Sequence, residues 1–362
     1  MMTSKERMLI ALNRGKPDRL PATIHQWQDY HLKHYMGGKT DLEAFKDVGL
    51  DAAITYTPFI FKSSDNWRES YKKYEKDGQI ITDYTIETPE GVLTYKTGTN
   101  QYTTWMVEHL IKRDEDIYLL KKYRPVPGLD RDAVSKRYDE IGDDGILRMF
   151  INGIQGGCWQ DACELYGTEN MIMAVYDKPD WVHEFLQILL EQKLAFIYDN
   201  MKGIKVDLVE TGGGAASSTV ISPRIHAEFC LPYDKKIHDA LHDIGHKVVY
   251  HTCGGMMAIL DLIVQNGCDA SETLSPPGVG GDITDPHYVK NTLGEKVALI
   301  GGFDQFNILT DGTPEDIRKE VHRLFEGFGQ DGGYIMSASD HFFHAPRENL
   351  VAYARAAYEC VY

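Results

Sequence analysis

Residues 206–255 read VDLVETGGGAASSTVISPRIHAEFCLPYDKKIHDALHDIGHKVVYHTCGG. Val206-Asp207-Leu208-Val209-Glu210 is a strand candidate that runs into the loop Thr211-Gly212-Gly213-Gly214. A helix spans the 224–243 region after Ser222-Pro223, an N-cap followed by proline at the first helical position. Lys247-Val248-Val249-Tyr250 is the next strand, and His251-Thr252-Cys253-Gly254-Gly255 follows it. Strands this apolar, joined through a helix, indicate a parallel sheet covered on its faces.

The same alternation continues outward. A helix is expected from about 256 to 265, strands at 270–274 and 297–300, and a helix opening at Thr313-Pro314-Glu315-Asp316. Tyr334-Ile335-Met336-Ser337 is the last strand, and a C-terminal helix starts near Pro346. Polar residues gather just past these strands: Gln155, Glu210, His251 with Cys253, Glu272, Asp304, and Asp340 with His341. No GxGxxG or Walker loop follows an early strand, which argues against an open nucleotide-binding sheet. In a (β/α)8 TIM barrel such strand ends converge on one mouth, and that α/β fold is the expectation. Residues 1–362 read as one such domain, with an N-terminal helical extension. The alternation in 79–95 reads as a small β-hairpin insertion, with Pro89-Glu90-Gly91 at its turn.

Composition narrows the function. Of 362 residues 43% are hydrophobic, ample for a large core, and 38 basic against 54 acidic side chains give a net charge of −16. Without a long basic run this argues against nucleic acid or an anionic membrane as main partner. No stretch approaches the roughly 20 apolar residues of a membrane span, and the N-terminus lacks a signal-peptide pattern. A cytoplasmic enzyme is expected. Six cysteines in a chain this long are too sparse for a disulfide framework. Cys158, Cys163, Cys230, Cys268 and Cys360 read as small buried hydrophobes.

Cys253 differs because of His251. Alternate residues of a strand point the same way, so both can meet one point. Imidazole nitrogen and thiolate are what zinc accepts, at about 2.0–2.3 Å.

The 206–260 stretch, ALIGGFDQFNILTDGTPEDIRKEV and GGYIMSASDHFFHAPRENLVAYARAAY together resemble the uroporphyrinogen decarboxylase superfamily, and GCWQDACELYGTENMIMAVYDKPDWV is similar to its middle segment. The start, SKERMLIALNRGKPDRLP, matches weakly. The resemblance implies a (β/α)8 barrel and one of two chemistries. Its decarboxylases carry an Arg-rich segment near PxWxMRQAGR that grips the substrate's carboxylates, whereas this chain has Leu20-Pro21-Ala22-Thr23-Ile24-His25-Gln26-Trp27-Gln28, without an arginine. The branch with HxC resembles the corrinoid-dependent methyltransferases, which hold zinc through that pair and a cysteine after the last strand. Here that cysteine is absent, and the position falls on or beside His341. The metal set implied is His251, Cys253 and His341, with Asp340 and Glu210 open as alternatives for the third ligand.

A zinc with fewer thiolates is the better Lewis acid, which suits a methyl ether whose leaving group is a poor alkoxide or phenoxide. The expected activity is transfer of a methyl group from a small methylated substrate, preferably a methoxylated aromatic, to the Co(I) corrinoid (cobalamin) of a separate protein, because the chain has no DxHxxG corrinoid sequence. Glu210, Asp304 and Asp340 are the candidate catalytic carboxylates. Glu210 is a zinc ligand or proton donor, or else the surface end of a strand, and Asp304 either orients a ligand histidine or caps the next helix. His25, Trp27, Gln155, Glu272 and Phe342 are candidates for binding substrate, with Tyr30 and Phe343 beside them; aromatics so placed more often pack in a core. The alternative is a decarboxylase of a carboxylated tetrapyrrole. A metal-assisted hydrolase and a non-catalytic binding barrel are further readings.

Overall fold

The computed structural model describes residues 2–62, 64–153 and 155–362. Seven parallel strands lie side by side in chain order: β1 (Ala52–Thr55), β2 (Gly145–Phe150), β3 (Leu208–Gly212), β4 (Val248–His251), β5 (Ala270–Thr273), β6 (Ala298–Phe303) and β7 (Tyr334–Ala338). The strand candidates from 206 onward fall on β3 to β7, with ends displaced by at most three residues.

An eighth regular strand is absent among the described residues. In its place the 20–24 stretch links the two sheet edges. Met336 N donates to Pro21 O, Thr23 N to Met336 O, and Asp51 N to Ala22 O. Pro21 has no amide hydrogen to give, so the ladder here is limited to a bridge from Ala22 to Met336.

The curled sheet separates two apolar regions. Outside, helices pack on the strands in the main core. Inside, Ala53, Ile146, Leu208, Val249, Ala270, Ala298, Ile300 and Ile335 form a floor with Met8, Ala11 and Leu12. Those last three come from the helix α1 (Ser4–Leu12), so the N-terminal helix plugs the barrel's lower end. Thr3 and Glu6 form a capping box at its start, satisfying two otherwise unpaired amides. Ser222 caps the turn Pro223–Ile225, from which helix Leu231–Asp243 continues behind β4.

Two further helices, α2 (Asp29–Tyr35) and α3 (Asp41–Val48), precede β1. Between β1 and β2 the chain builds four antiparallel strands, Arg68–Lys76, Gln79–Thr88, Gly91–Thr99 and Thr104–Glu108. The 79–95 alternation is the central pair, with Thr88 opposite Gly91 across Pro89-Glu90. Tyr84 and Tyr95 stack across that pair at 4.2 Å, while Ile86 and Leu93 join the main core. No helix among the described residues is long and apolar enough to cross a membrane.

Candidate metal centre

Above the aliphatic floor the barrel interior turns polar within one step of the strand period. Arg148, Glu210, His251 and Glu272 each stand two residues past a floor residue, namely Ile146, Leu208, Val249 and Ala270. All four are buried. Arg148 Nη2 donates to Glu210 Oε2 and to Glu272 Oε1, both at 2.7 Å. Parallel register sets His251 opposite Glu272, and His251 Nδ1 lies 3.1 Å from Glu272 Oε1 and 3.4 Å from Glu210 Oε1. His25, just past the 20–24 bridge, brings its Nδ1 to 3.8 Å from Glu272 Oε1.

These charges divide the two carboxylates. Burial, reinforced by the Glu272 charge, pushes the Glu210 carboxyl up to about 7. Burial acts on Glu272 as well, but Arg148, His25 and His251 outweigh it and hold that carboxyl below the usual range. Burial works against protonating His251, and the neighbouring Cys253, Glu272 and Glu210 overcome it, raising its proton affinity. Burial takes His25 the other way, down to about 3.

The layer is incompletely satisfied. Arg148 Nε, Glu210 Oε1, His251 Nε2 and Glu272 Oε2 are buried without a hydrogen-bond partner. Four such atoms around one point are rare in a finished core and common where something else binds.

Donor atoms fall into three groups within 4.8 Å of one another: His25/Glu210/His251/Glu272, His251/Cys253/Asp340, and His25/Asp340/His341. The first already contains a cation, because the Arg148 guanidinium sits between its carboxylates. The second joins the HxC pair to the loop after β7 and carries nitrogen, sulfur and oxygen donors. Gly214 makes room for it, since a Cβ there would lie 2.5 Å from Cys253 Sγ. The structure thus groups Asp340, rather than His341, with His251 and Cys253. His341 Nδ1 is engaged by Gln28 Nε2 at 2.8 Å, and its Nε2 is 3.8 Å from Asp340 Oδ1.

Other expected site residues lie apart. Asp304 is occupied by its own loop: Oδ1 accepts from Phe306 N (2.9 Å) and Asn307 N (2.7 Å), and Oδ2 from Asn307 Nδ2 (2.8 Å). It caps a turn and orients no histidine. Trp27 and Phe342, 6% and 1% exposed, pack edge-on at 6.1 Å within the core instead of facing a substrate. Trp27 also lines a cavity of about 270 Å³ between α2, α3 and β1. Gln155 is at the mouth, its Oε1 accepting from Gly214 N at 3.4 Å. The five other cysteines are buried, as expected, whereas Cys253 is half-buried. Sequence reasoning missed Arg148 and Gln28. An arginine at an inward position of the otherwise apolar run Gly-Ile-Leu-Arg-Met-Phe was the available signal for the first.

A family model described as "Uroporphyrinogen decarboxylase (URO-D)" matches residues 93–360. The chain is 32% identical to the uroporphyrinogen decarboxylase of Aliivibrio salmonicida (strain LFI1238), over 98% of this chain and 96% of that one. It is 25% identical to the methylated-thiol–coenzyme M methyltransferase of Methanosarcina mazei, over 63% of this chain and 56% of that one. Among solved structures, a methyltransferase from Methanosarcina mazei superposes with a TM-score of 0.70 at 17% identity, covering 99% of both chains, which shows a shared fold.

Proposed function

The chain belongs to the uroporphyrinogen decarboxylase family, and within it we propose a zinc-dependent methyltransferase that passes a methyl group from a small methylated substrate, preferably a methoxylated aromatic, to the Co(I) corrinoid of a separate protein. The observation that carries the reading is the meeting of His251, Cys253 and Asp340 donor atoms over a buried, half-satisfied charge layer. Zinc fits there on three counts. His251 Nε2 is buried and unclaimed, the donors are the nitrogen, sulfur and oxygen that zinc accepts, and Gly214 leaves the sulfur its space.

His251, Cys253 and Asp340 would hold the ion, with Asp340 preferred to His341 because its oxygen groups with the His251 and Cys253 donor atoms within 4.8 Å. Bound there, zinc would act as a Lewis acid toward the oxygen from which the methyl departs. The chain's own groups prepare that point. Glu272, kept anionic by Arg148, accepts the His251 Nδ1 proton and so leaves Nε2 as a lone-pair donor. Glu210, with a carboxyl near 7, can hold a proton close to the departing oxygenate at neutral pH. The methyl carbon–oxygen bond would break with its electrons leaving on oxygen, which Glu210 could protonate, and the corrinoid of the separate protein would supply the nucleophile that takes the methyl carbon.

A second reading, decarboxylation of a carboxylated tetrapyrrole, is favoured by the 32% identity to a decarboxylase. Its weakness is the supply of free guanidinium. Arg148 is consumed by Glu210 and Glu272, and Arg7 and Arg19 both clamp Asp51.

Metal analysis separates the two. His251→Ala and Cys253→Ala are each expected to lose most of the zinc and the methyl transfer while remaining folded. Among Asp340→Ala, His341→Ala and Glu210→Ala, the first should lose zinc affinity most. Full zinc and full rate in both His251→Ala and Cys253→Ala would remove the assignment. Release of carbon dioxide from a tetrapyrrole by metal-free protein would establish the second reading.

A further inference from the structure

The four-stranded antiparallel sheet contributes nothing to the donor cluster, yet one of its turns reaches the mouth. The turn joins Gly91–Thr99 to Thr104–Glu108 and is closed by Asn100. Asn100 Oδ1 accepts from Tyr102 N at 2.8 Å and Thr103 N at 3.0 Å, and Asn100 N donates to Thr103 O at 3.0 Å. Three bonds over four residues fix the backbone that presents Tyr102.

Its ring meets aromatic residues of the mouth. Tyr30 lies 4.7 Å away between centroids. Phe343 meets Tyr102 edge-on at 5.0 Å, and His344 at 5.7 Å. Tyr30 is two residues past Gln28, which holds His341 Nδ1, and Phe343 is two residues past His341 itself. The aromatic surface is therefore linked along the chain to His341 and its partner Gln28. Tyr30, Tyr102 and Phe343 are each half-buried, leaving ring area to offer. Trp27 and Phe342 have none.

We propose that Tyr102, with Tyr30 and Phe343, is the wall against which the substrate's aromatic ring lies, so that the inserted sheet determines specificity at the barrel mouth. The ring should be neutral or phenolic. The buried Arg148 guanidinium is already paired with Glu210 and Glu272, so a benzoate carboxylate would find no free partner in it. This rests on the methyltransferase reading only for the identity of the bond that breaks.

The test is equilibrium binding of guaiacol to zinc-loaded protein, followed by saturation-transfer NMR, beside its demethylation with a reduced corrinoid. Tyr102→Ala should weaken guaiacol binding roughly two- to tenfold, the range of one aromatic pair. Tyr102→Phe, which keeps the ring and drops the hydroxyl, should recover most of that loss, and both variants should carry wild-type zinc. Equal binding by Tyr102→Ala and wild type, or no binding by wild type, overturns the proposal. Guaiacol held through Tyr102 but never demethylated supports the wall and removes the methyltransferase reading. Demethylation whose KM is unmoved by Tyr102→Ala keeps that reading and removes the wall.

Discussion

The two faces of β3 and β4 bury polar networks of opposite character. Outward, Thr211 Oγ1 meets His238 Nε2 at 2.8 Å, His238 Nδ1 meets Asn266 O at 2.8 Å, and the Tyr250 hydroxyl donates to Asp234 Oδ2 at 2.9 Å. Every ring nitrogen and hydroxyl of that outer set has a partner, and Asn266 Nδ2 is the one atom it leaves unpartnered. Inward, one residue along the same strands, Glu210 and His251 belong to a layer with four unpartnered atoms. Backbone, burial and strand period are shared, so the contrast lies in completeness. A closed network holds helix Leu231–Asp243 on the sheet. The open one keeps valences for a bound group, at a cost in stability that only a ligand can offset.

Arg148 is where that contrast breaks most visibly. Arg148→Met would leave Glu210 and Glu272 facing each other with no cation, and losing one partner of a buried ion pair costs about 3–5 kcal/mol. Urea denaturation of the zinc-free variant should show a loss of that order. Adding Glu272→Gln and Glu210→Gln should recover a good part of it, since the charges left unpaired are then gone. Zinc affinity should fall most in the triple variant, where His251 Nδ1 faces a neutral amide in place of the Glu272 carboxylate, an effect of about 10–100-fold for such outer partners. A stable, zinc-competent Arg148→Met would show that the inner layer is not organised around the guanidinium.

How far this was readable from sequence depends on period. The HxC pair was legible because both residues sit two apart at the end of an apolar run, and strand alternation fixes their common direction. Glu210 and Glu272 were legible as strand-end carboxylates for the same reason. Asp340 and His341 were not separable, since alternation stops with β7 at Ala338 and nothing local decides which of two adjacent loop residues turns inward. Arg148 required knowing that β2 faces the barrel interior. Trp27 and Phe342 read as aromatic, but composition carries no information on which side of a layer a ring lies. Asp304 had two readings, and the tight Asp304–Asn307 turn selected capping. Tyr102 reaches the mouth only through a sheet that alternation had revealed as one hairpin.

The outer network makes its own prediction through Asp234. Burial pushes this carboxyl up to about 7, against the Tyr250 hydrogen bond and the Lys193 charge, which favour ionisation. A carboxyl with a raised native value binds its proton more tightly folded than unfolded. The resulting stability is complete below the ordinary value near 4 and disappears as pH rises through 7. With about 1.4 kcal/mol for each pH unit between the two values, wild type should lose about 2–4 kcal/mol between pH 4 and pH 8 from this group. Asp234→Asn keeps an acceptor for Tyr250 and cannot ionise, so in zinc-free protein it should exceed wild type at pH 8 and match it at pH 4. A pH-independent difference would mean that Asp234 is not neutral in the folded state, and the outer network would then carry a buried charge as the inner one does.

The smallest effect is expected from Thr211→Val, which sharpens the comparison because Thr211 adjoins Glu210 in β3 and faces the other way. His238 Nδ1 donates to Asn266 O, so Nε2 is an acceptor and the Thr211 hydroxyl its donor. Burial drives the imidazole down to about 4, so it stays neutral and cannot answer the loss by taking up a proton near pH 7. Valine matches threonine in shape and leaves one buried acceptor unsatisfied, a cost of about 1–2 kcal/mol. Calorimetric unfolding should register that loss, while a zinc titration should register none, since no atom of Thr211 reaches the inner layer. Reduced zinc affinity in Thr211→Val would mean that the strand transmits the defect from one face to the other, and the two networks would have to be treated as one.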